Sequence, residues 1–180
     1  GIDELFYQDV VASLYGRNSI LKFISDTAKN ISIPLTVGGG IRSIEDIGKV
    51  LESGADKVAI NTAAIDNPNL IQEASRIFGS STIVISVEVI KSSKGKYLAY
   101  TDNGREFTGI DAIDWSSRVQ DLGAGELILT SIDNEGTGKG YDIDILNRIH
   151  DKVSIPVVAH GGFGNYKHIV DAFKNGANAV

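Results

Sequence analysis

The sequence predicts an α/β protein and, within that class, a (β/α)8 TIM barrel built from two similar halves. Short apolar runs alternate with helical patterns along the chain, as in a parallel sheet covered by helices. Groups of residues also recur 122 positions apart, a span that holds four strand–helix units. Because eight such units need roughly 250 residues, the repeat corresponds to half a barrel.

Four ungapped matches define this repeat. Each pairs a turn or strand start in the first part of the chain with one in the last part. The pairs are Gly1–Leu5 with 123–127, Ile33-Pro34 with Ile155-Pro156, Gly39-Gly40 with Gly161-Gly162, and 54–58 with 176–180.

Composition limits the classes of function. The chain has 180 residues, a net charge of −6, no cysteine and three histidines that are not paired in sequence. The acidic balance argues against a nucleic-acid or anionic-membrane surface. The first residues lack the basic start of a signal peptide, so we expect a cytoplasmic protein. A mechanism without metal or cofactor is the default expectation.

Seven apolar runs are predicted to be parallel strands. We expect one domain over residues 1–180, running from the second strand of a barrel to the eighth and lacking the first. A doubly wound sheet is the alternative, because an open sheet needs no closing strand. The predicted strands cover residues 4–9, 34–38, 57–61, 82–89, 126–131 and 156–159, and a last one begins at Ala179.

Helix signals follow several of these runs. Ser43 and Asp46 form a capping-box pattern ahead of an apolar stripe, and Gly54 is suited to end that helix. Asn67 is predicted to cap the next helix, with Pro68 at its first position.

One segment departs from the strand–helix rhythm. The β-prone residues 96–100 and 105–108 flank Thr101-Asp102-Asn103-Gly104, and Asn-Gly between such runs is a strong hairpin signal. We therefore predict a β-hairpin insert at about residues 96–108, rising from the C-terminal face of the barrel over the active site.

Two glycine clusters lie at predicted C-terminal strand ends, where barrels of this type place their active sites. Gly38–Gly40 and Gly161-Gly162 are repeat mates, and glycines let backbone N–H groups approach an anion beside a helix N-terminus. Two such clusters imply a substrate with two phosphates; the alternative is that the glycines only form tight turns. Asn61-Thr62 and Gly136-Thr137 follow neighbouring strands and are placed to complete the two sites.

Glu88 is the only carboxylate in the apolar run 82–89, where it shares a face with Val84 and Ser86. Burial raises the pKa of a carboxyl group towards neutral pH, so Glu88 is the candidate general acid or base. The alternative is a strand-end glutamate that faces a helix or water.

Other polar strand ends are weaker candidates. Asp9, Asp133 and Glu135 offer carboxylates for acid–base chemistry or hydroxyl binding. His160 precedes Gly161-Gly162, and a lone histidine is more often a structural hydrogen-bonding residue than a catalyst. Both roles stay open for it.

Three stretches resemble the cyclase subunit of imidazole glycerol phosphate synthase. The similarity extends over essentially the whole chain, and the third stretch is the most specific. They are PLTVGGGIR at 34–42, GADKVAINTAA at 54–64, and GAGELILTSID at 123–133 with Gly136-Thr137 and Gly140-Tyr141-Asp142 behind it.

The resemblance implies a reaction of histidine biosynthesis. Ammonia from a partner glutaminase passes through the barrel and attacks a bisphosphorylated ribulosyl aminoimidazole carboxamide intermediate. The products are imidazole glycerol phosphate and an aminoimidazole carboxamide ribotide. No nucleic acid or membrane takes part.

The resemblance also implies roles for individual residues. It gives Glu88 the acid–base role and suggests one phosphate at Gly40, Asn61 and Thr62 and the other at Gly136, Gly161 and Gly162. Asp9, Glu135 and His160 join the substrate site, and Thr101 and Thr130 match positions near the substrate. Glu4, Lys57 and Glu126 match a charged ring through which ammonia enters.

Three positions depart from the family pattern. Glu88 and Glu135 stand where aspartate is usual, and His160 stands where serine is usual. Two alternatives follow: a cyclase-like paralogue that passes ammonia to another acceptor, such as an amino sugar for a surface glycan, or an inactive barrel fragment.

Overall fold

A computed structural model describes residues 2–9 and 17–180, so Gly1, the first residue of the repeat, lies outside the described residues. Strands and helices alternate from β1 to α7, as predicted. In chain order they are β1 (Leu5–Gln8), α1 (Arg17–Ala28), β2 (Leu35–Gly38), α2 (Ile44–Glu52), β3 (Lys57–Ile60), α3 (Thr62–Asp66), α4 (Asn69–Phe78), β4 (Ile83–Lys91), β5 (Tyr97–Thr101), β6 (Glu106–Asp111), α5 (Ala112–Asp121), β7 (Glu126–Ser131), α6 (Ile143–His150), β8 (Val157–His160) and α7 (Tyr166–Lys174).

The parallel strands pair in the order β1-β2-β3-β4-β7-β8, and Val158 of β8 forms a parallel bridge to Ala179. Each strand thus lies beside the preceding parallel strand of the chain. A doubly wound sheet would reverse direction after its first strands, so that alternative is wrong. The order is that of consecutive strands in a (β/α)8 barrel, which confirms the predicted fold class.

The antiparallel hairpin interrupts this order at one place. β5 pairs with β4 from Glu88↔Tyr100 to Lys91↔Tyr97, and β6 pairs with β5. The predicted end of β4 at Val89 is therefore too early, because the strand continues to Lys91 to carry the hairpin. Asp102, Asn103 and Gly104 have positive φ in the turn, which is the conformation that Asn-Gly turns favour.

The half-barrel repeat is visible in the elements themselves. β2 and β8, and α2 and α7, have bounds that differ by the same 122 positions. Asp56 and Asn178 are also mates: the Asp56 carboxylate accepts a hydrogen bond from Leu35 N at 2.8 Å, and the Asn178 side-chain oxygen accepts one from Val157 N at 2.9 Å. The two halves are held by equivalent local bonds.

Helix α2 forms as its sequence predicts. The Ser43 hydroxyl caps the helix by accepting from Asp46 N at 3.1 Å, and Gly54, with φ 110°, follows its last turn. The prediction for the next helix is one residue early, because α4 begins at Asn69 with Pro68 at the N-cap. A one-turn helix, α3, precedes it and was not predicted.

The sheet has two different faces. One face packs under the helices, where Ile85, Val87 and Leu127 join Ile71 and Trp115 in the main core. On the inner face the polarity of the side chains changes along the strands. Phe6, Ala59, Val84, Ile128 and Val158 form a separate apolar cluster in the middle layer. Within the described residues, no helix is both long and apolar enough to cross a membrane.

Candidate active site

A cavity of about 540 Å³ opens at the C-terminal ends of β1 to β4. It brings together Asp9, Gly40, Asn61, Thr62 and Glu88 among the residues predicted from sequence. Its wall also contains Gln8, Gly39, Ile41, Arg42, Ala59, Ile60, Ala63, Asp66, Asn67, Ser86, Asp102 and Asn103. The hairpin turn supplies the last two, so it borders the cavity.

Glu88 lies at this cavity with a side chain that is only 4% exposed. Burial is the largest influence and raises the pKa of its carboxyl group, and the charges of Glu135 and Asp102 act in the same direction. The Gly104 N–H, 2.8 Å from Glu88 Oε2, and the Asn61 amide oppose that rise. A carboxyl group in such a setting can hold a proton near neutral pH and exchange it with a bound substrate.

Asn61 connects the cavity to the hairpin. Its Nδ2 donates to Tyr100 O at 3.2 Å, whereas its Oδ1 is buried with no hydrogen-bond partner among the described residues. A buried acceptor without a partner is costly. Asn61 Oδ1 is therefore available to a donor on a bound ligand.

The first glycine loop is shaped by a close approach of two strand ends. Gly39 has φ 98°, and a Cβ there would lie 2.1 Å from Asp9 O. Gly40 also has a positive φ, and Arg42 follows on the cavity wall. The loop exposes backbone close to Asn61 and Thr62, an arrangement suited to an oxyanion.

The second glycine loop lies outside that cavity wall. A Cβ at Gly161 would be 2.7 Å from Ser131 O and 3.5 Å from Glu135 Cβ, and one at Gly162 would be 2.1 Å from Gly140 O. Gly136, with φ 70°, has open space around it. The predicted residues Glu135, Gly161 and Gly162 thus belong to one group of loops after β7 and β8.

Thr130 and His160 continue the row that begins at Glu88. The strand register pairs Glu88 with Thr130 and Thr130 with His160. The Thr130 hydroxyl lies 3.1 Å from His160 Nδ1. Thr101 is buried at the end of β5, next to the turn residue Asp102.

Asp133 has a structural contact. Its carboxylate accepts from Lys91 N at 2.8 Å, which ties the loop after β7 to the base of the hairpin.

Several cavity residues were not among the site candidates drawn from the sequence. Ser86 shares the predicted face of Glu88 and Asn103 lies in the predicted hairpin turn, whereas Gln8 reaches the wall through the pairing of β1 with β2. Arg42 had a usable signal, since it follows the glycine cluster directly. Within the described residues, no group of three or more metal-binding side chains is present.

A charged cluster occupies the opposite end of the inner face. Lys57 Nζ lies 2.9 Å from Glu126 Oε2 and 3.0 Å from Glu4 Oε2, and the Thr36 hydroxyl donates to Glu4 Oε1 at 2.5 Å. Burial alone would lower the pKa of Lys57, but the bonds to Glu126 and Glu4 outweigh it and raise the pKa. The three residues predicted to form a ring are thus in contact.

Comparisons with known proteins identify a matching family and several relatives. A family model described as "Histidine biosynthesis protein" matches residues 1–180. The chain is 53% identical over 164 residues to the imidazole glycerol phosphate synthase subunit HisF of Legionella pneumophila, which spans 91% of this chain and 77% of that protein.

Two further relatives carry the same name. The subunit from Alkaliphilus metalliredigens is 47% identical over 176 residues, 98% of this chain and 70% of that protein. The subunit from Sulfurisphaera tokodaii is 47% identical over 174 residues, 97% of this chain and 70% of that protein. These matches confirm the resemblance drawn from the three sequence stretches.

Proposed function

The chain belongs to the histidine biosynthesis protein family, and we propose that it is the cyclase of imidazole glycerol phosphate synthesis. The observation that carries the proposal is the buried Glu88 on the cavity wall beside the first glycine loop. All three relatives bear the name of this synthase.

The reaction joins ammonia to a bisphosphorylated ribulosyl aminoimidazole carboxamide intermediate. The products are imidazole glycerol phosphate and an aminoimidazole carboxamide ribotide. Ring formation requires protons to leave the attacking nitrogen and to reach departing oxygen and nitrogen atoms. Glu88 supplies a carboxyl group that exchanges such protons at the cavity wall.

The substrate's two phosphates require two separate sites. Backbone N–H groups at Gly40, with Asn61 and Thr62 beside them, serve one phosphate. Gly136, Gly161 and Gly162 serve the other, across the row formed by Glu88, Thr130 and His160. Asp9, Thr101 and Glu135 complete the wall around the sugar part of the substrate.

Ammonia reaches the cavity from the charged end of the sheet. Glu4, Lys57 and Glu126 form the entrance, and the apolar cluster of Phe6, Ala59, Val84, Ile128 and Val158 lies between it and the mouth. A neutral ammonia molecule passes such a layer more easily than an ammonium ion, because burying an unpaired charge is costly. The apolar layer between the charged entrance and the cavity is therefore suited to the passage of neutral ammonia.

The relatives are named as subunits of a synthase. We propose that a glutaminase subunit docks at the charged end and supplies ammonia, and that the complex works in the cytoplasm. Residues 1–180 act as one barrel domain in this proposal. The alternatives, an amino-sugar paralogue and an inactive fragment, gain no support from the relatives or the structure.

The test is ammonia-dependent turnover of the bisphosphate intermediate by the protein and by Glu88→Gln and Glu88→Asp. Loss of the ionisable group should lower kcat by about 10² to 10⁴, whereas aspartate should keep part of the activity because a carboxyl remains. Glu73→Gln, an exposed change on α4, is the matched control. Full activity of Glu88→Gln, or bisphosphate binding without turnover in the unmodified protein, would contradict the proposal.

A further inference from the structure

The hairpin turn between β5 and β6 reaches Glu88 with one backbone group. Asp102, Asn103 and Gly104 have φ of 53°, 57° and 79°, and the Gly104 N–H donates to Glu88 Oε2 at 2.8 Å. Positive φ is unfavourable for residues other than glycine, although asparagine and aspartate tolerate it best. A turn that contains two such residues keeps its shape only where its surroundings hold it.

Ile132, in the loop after β7, fills the space beside Gly104. A Cβ built on Gly104 would lie 2.9 Å from Ile132 Cγ2, 3.0 Å from its Cγ1 and 3.1 Å from its Cδ1. These distances are shorter than ordinary carbon–carbon contacts of about 3.5–4.0 Å. The isoleucine therefore occupies the place that a side chain at position 104 would take, and the turn packs against it while its N–H reaches Glu88.

Ile132 is itself bonded to the strand that carries Glu88. Its N–H donates at 3.0 Å to the carbonyl oxygen of Val89, the residue after Glu88 in β4. The carboxylate of the next residue, Asp133, accepts from Lys91 N at 2.8 Å. Two consecutive residues of this loop are thus bonded to the end of β4, so Ile132 has a defined position relative to both Glu88 and the turn.

The groups around Glu88 determine what a displacement of the turn does. Burial raises the pKa of the Glu88 carboxyl group, and the charges of Glu135, from the loop after β7, and Asp102, from the turn, act in the same direction. The Gly104 N–H and the Asn61 amide oppose this rise, and the Gly104 N–H has the larger effect of the two. Moving the turn away from β4 therefore weakens the bond that most favours the charged form.

We infer that Ile132 is a positioning residue for Glu88, because its packing against Gly104 keeps the N–H of the hairpin turn on Glu88 Oε2. Through this contact the loop after β7 acts on the proton of a carboxyl group that β4 carries. The acid–base role of Glu88 rests on the proposed function, whereas the contact and its effect on the carboxyl group do not.

The test follows the Glu88 carboxyl carbon by ¹³C NMR through a pH titration of the full chain, with Glu88→Gln to identify its resonance. Ile132→Ala removes the three carbon atoms that lie against Gly104. We expect it to make Glu88 bind its proton about fivefold more tightly, because a hydrogen bond to a charged group is weakened. Ile132→Val keeps both Cγ atoms and should titrate close to the unmodified protein. The pH profile of kcat should move upwards with the carboxyl titration.

Ile155→Ala is the matched control. Ile155 is half-buried like Ile132, but it precedes β8 and so lies at the opposite end of the strands. It should lower the free energy of unfolding through a similar loss of packing and leave the Glu88 titration unchanged. An equal shift in both alanine variants would indicate a general loosening of the fold and overturn the inference.

A Glu88 titration that Ile132→Ala leaves unchanged would also overturn the inference. In the unmodified protein we expect nuclear Overhauser effects between the Ile132 methyl groups and the Gly104 α protons, and their absence would overturn it even if Ile132→Ala did not fold. The titration needs no substrate. A shifted titration in a protein without cyclase turnover would therefore support this inference and contradict the proposed function, whereas turnover with an unshifted titration would contradict this inference alone.

Discussion

At the scale of single residues, Glu88 shows how one carboxyl group depends on groups from several elements. Burial in β4 raises its pKa, while the Gly104 N–H from the hairpin turn and the Asn61 amide after β3 favour its charged form. Its proton affinity is therefore sensitive to how closely the hairpin turn approaches β4.

This raised pKa gives a pH-dependent stability. Because the folded state binds the Glu88 proton more tightly than the unfolded state, the contribution is fully present below the ordinary pKa of 4.5 and is lost as pH rises through the folded value. Glu88→Gln cannot ionise and its side-chain oxygen still accepts from Gly104 N. We expect urea unfolding to show the variant gaining stability relative to the parent as pH rises above about 4.5. Parallel pH profiles would contradict this.

Gly39 is one of the glycines whose surroundings leave no room for a methyl group. A Cβ would meet Asp9 O at 2.1 Å, so the ends of β1 and β2 must separate. We expect Gly39→Ala to cost more than about 3 kcal/mol in urea unfolding and to weaken phosphate binding. Gly95→Ala, also at positive φ but with nothing within 4 Å, should cost only about 1 kcal/mol. Equal costs would contradict the steric argument.

Some site residues could be found from the sequence and others could not. Parity put Glu88 on one face of its strand with Val84 and Ser86, and glycine pairs indicated the two loops. Gln8, for example, reaches the cavity only because β1 pairs with β2. Such contacts are long-range, and no local pattern of residue types encodes them.

At the scale of elements, the hairpin is anchored to the start of α6. The Tyr97 hydroxyl lies 3.1 Å from both Asp142 Oδ1 and Asp144 Oδ2, and Lys91 Nζ lies 3.1 Å from Asp144 Oδ2. Burial is the main cause that raises the pKa of Tyr97 to about 12, so its hydroxyl keeps its proton at neutral pH. These contacts hold the strands of the hairpin in place beneath the turn that borders the cavity.

Tyr97→Phe should loosen these contacts. Removing one hydroxyl is expected to cost about 1 kcal/mol, and hydrogen exchange at the Gly104 amide should become faster because the turn opens more often. Tyr166→Phe, at a residue that is 77% exposed, is the control and should change neither quantity. Unchanged Gly104 exchange in Tyr97→Phe would show that the hairpin does not depend on this anchor.

Elements defined by local signals agree best with the sequence prediction. Ser43 caps α2 through a bond to Asp46, three residues away, and such a pattern is legible in one stretch of sequence. The one-turn helix α3 was missed because five residues are too few to show an amphipathic period. The extension of β4 was missed because it depends on its partner β5.

At the scale of the whole molecule, the inner face changes from a charged end to an apolar middle and a polar mouth. Lys57 lies between Glu4 and Glu126 at the charged end, and Glu88 lies at the mouth. The proposed ammonia entrance and the proposed acid–base residue thus lie at opposite ends of the same strands.

Lys57→Met tests this division of the molecule. It leaves two carboxylates without their shared cation, so we expect stability to fall by about 1 kcal/mol, a modest cost because all three side chains are partly exposed. Turnover driven by glutamine and the glutaminase should fall more than turnover driven by added ammonium. Lys49→Met removes a more exposed pair with Glu45 and should affect neither. An equal loss in both assays would contradict the proposed entrance.

The repeated side-chain bonds of Asp56 and Asn178 bear on how the chain folds. Each joins backbone and side chain across only 21 residues, so the loop that must close is short and its entropic cost is modest. The bond of Asp56 and the bond of Asn178 can form independently of each other during folding. A parallel sheet ordinarily folds slowly because its contacting residues are far apart in sequence. Two segments that can form independently, one on each side of β4, are expected to make folding faster.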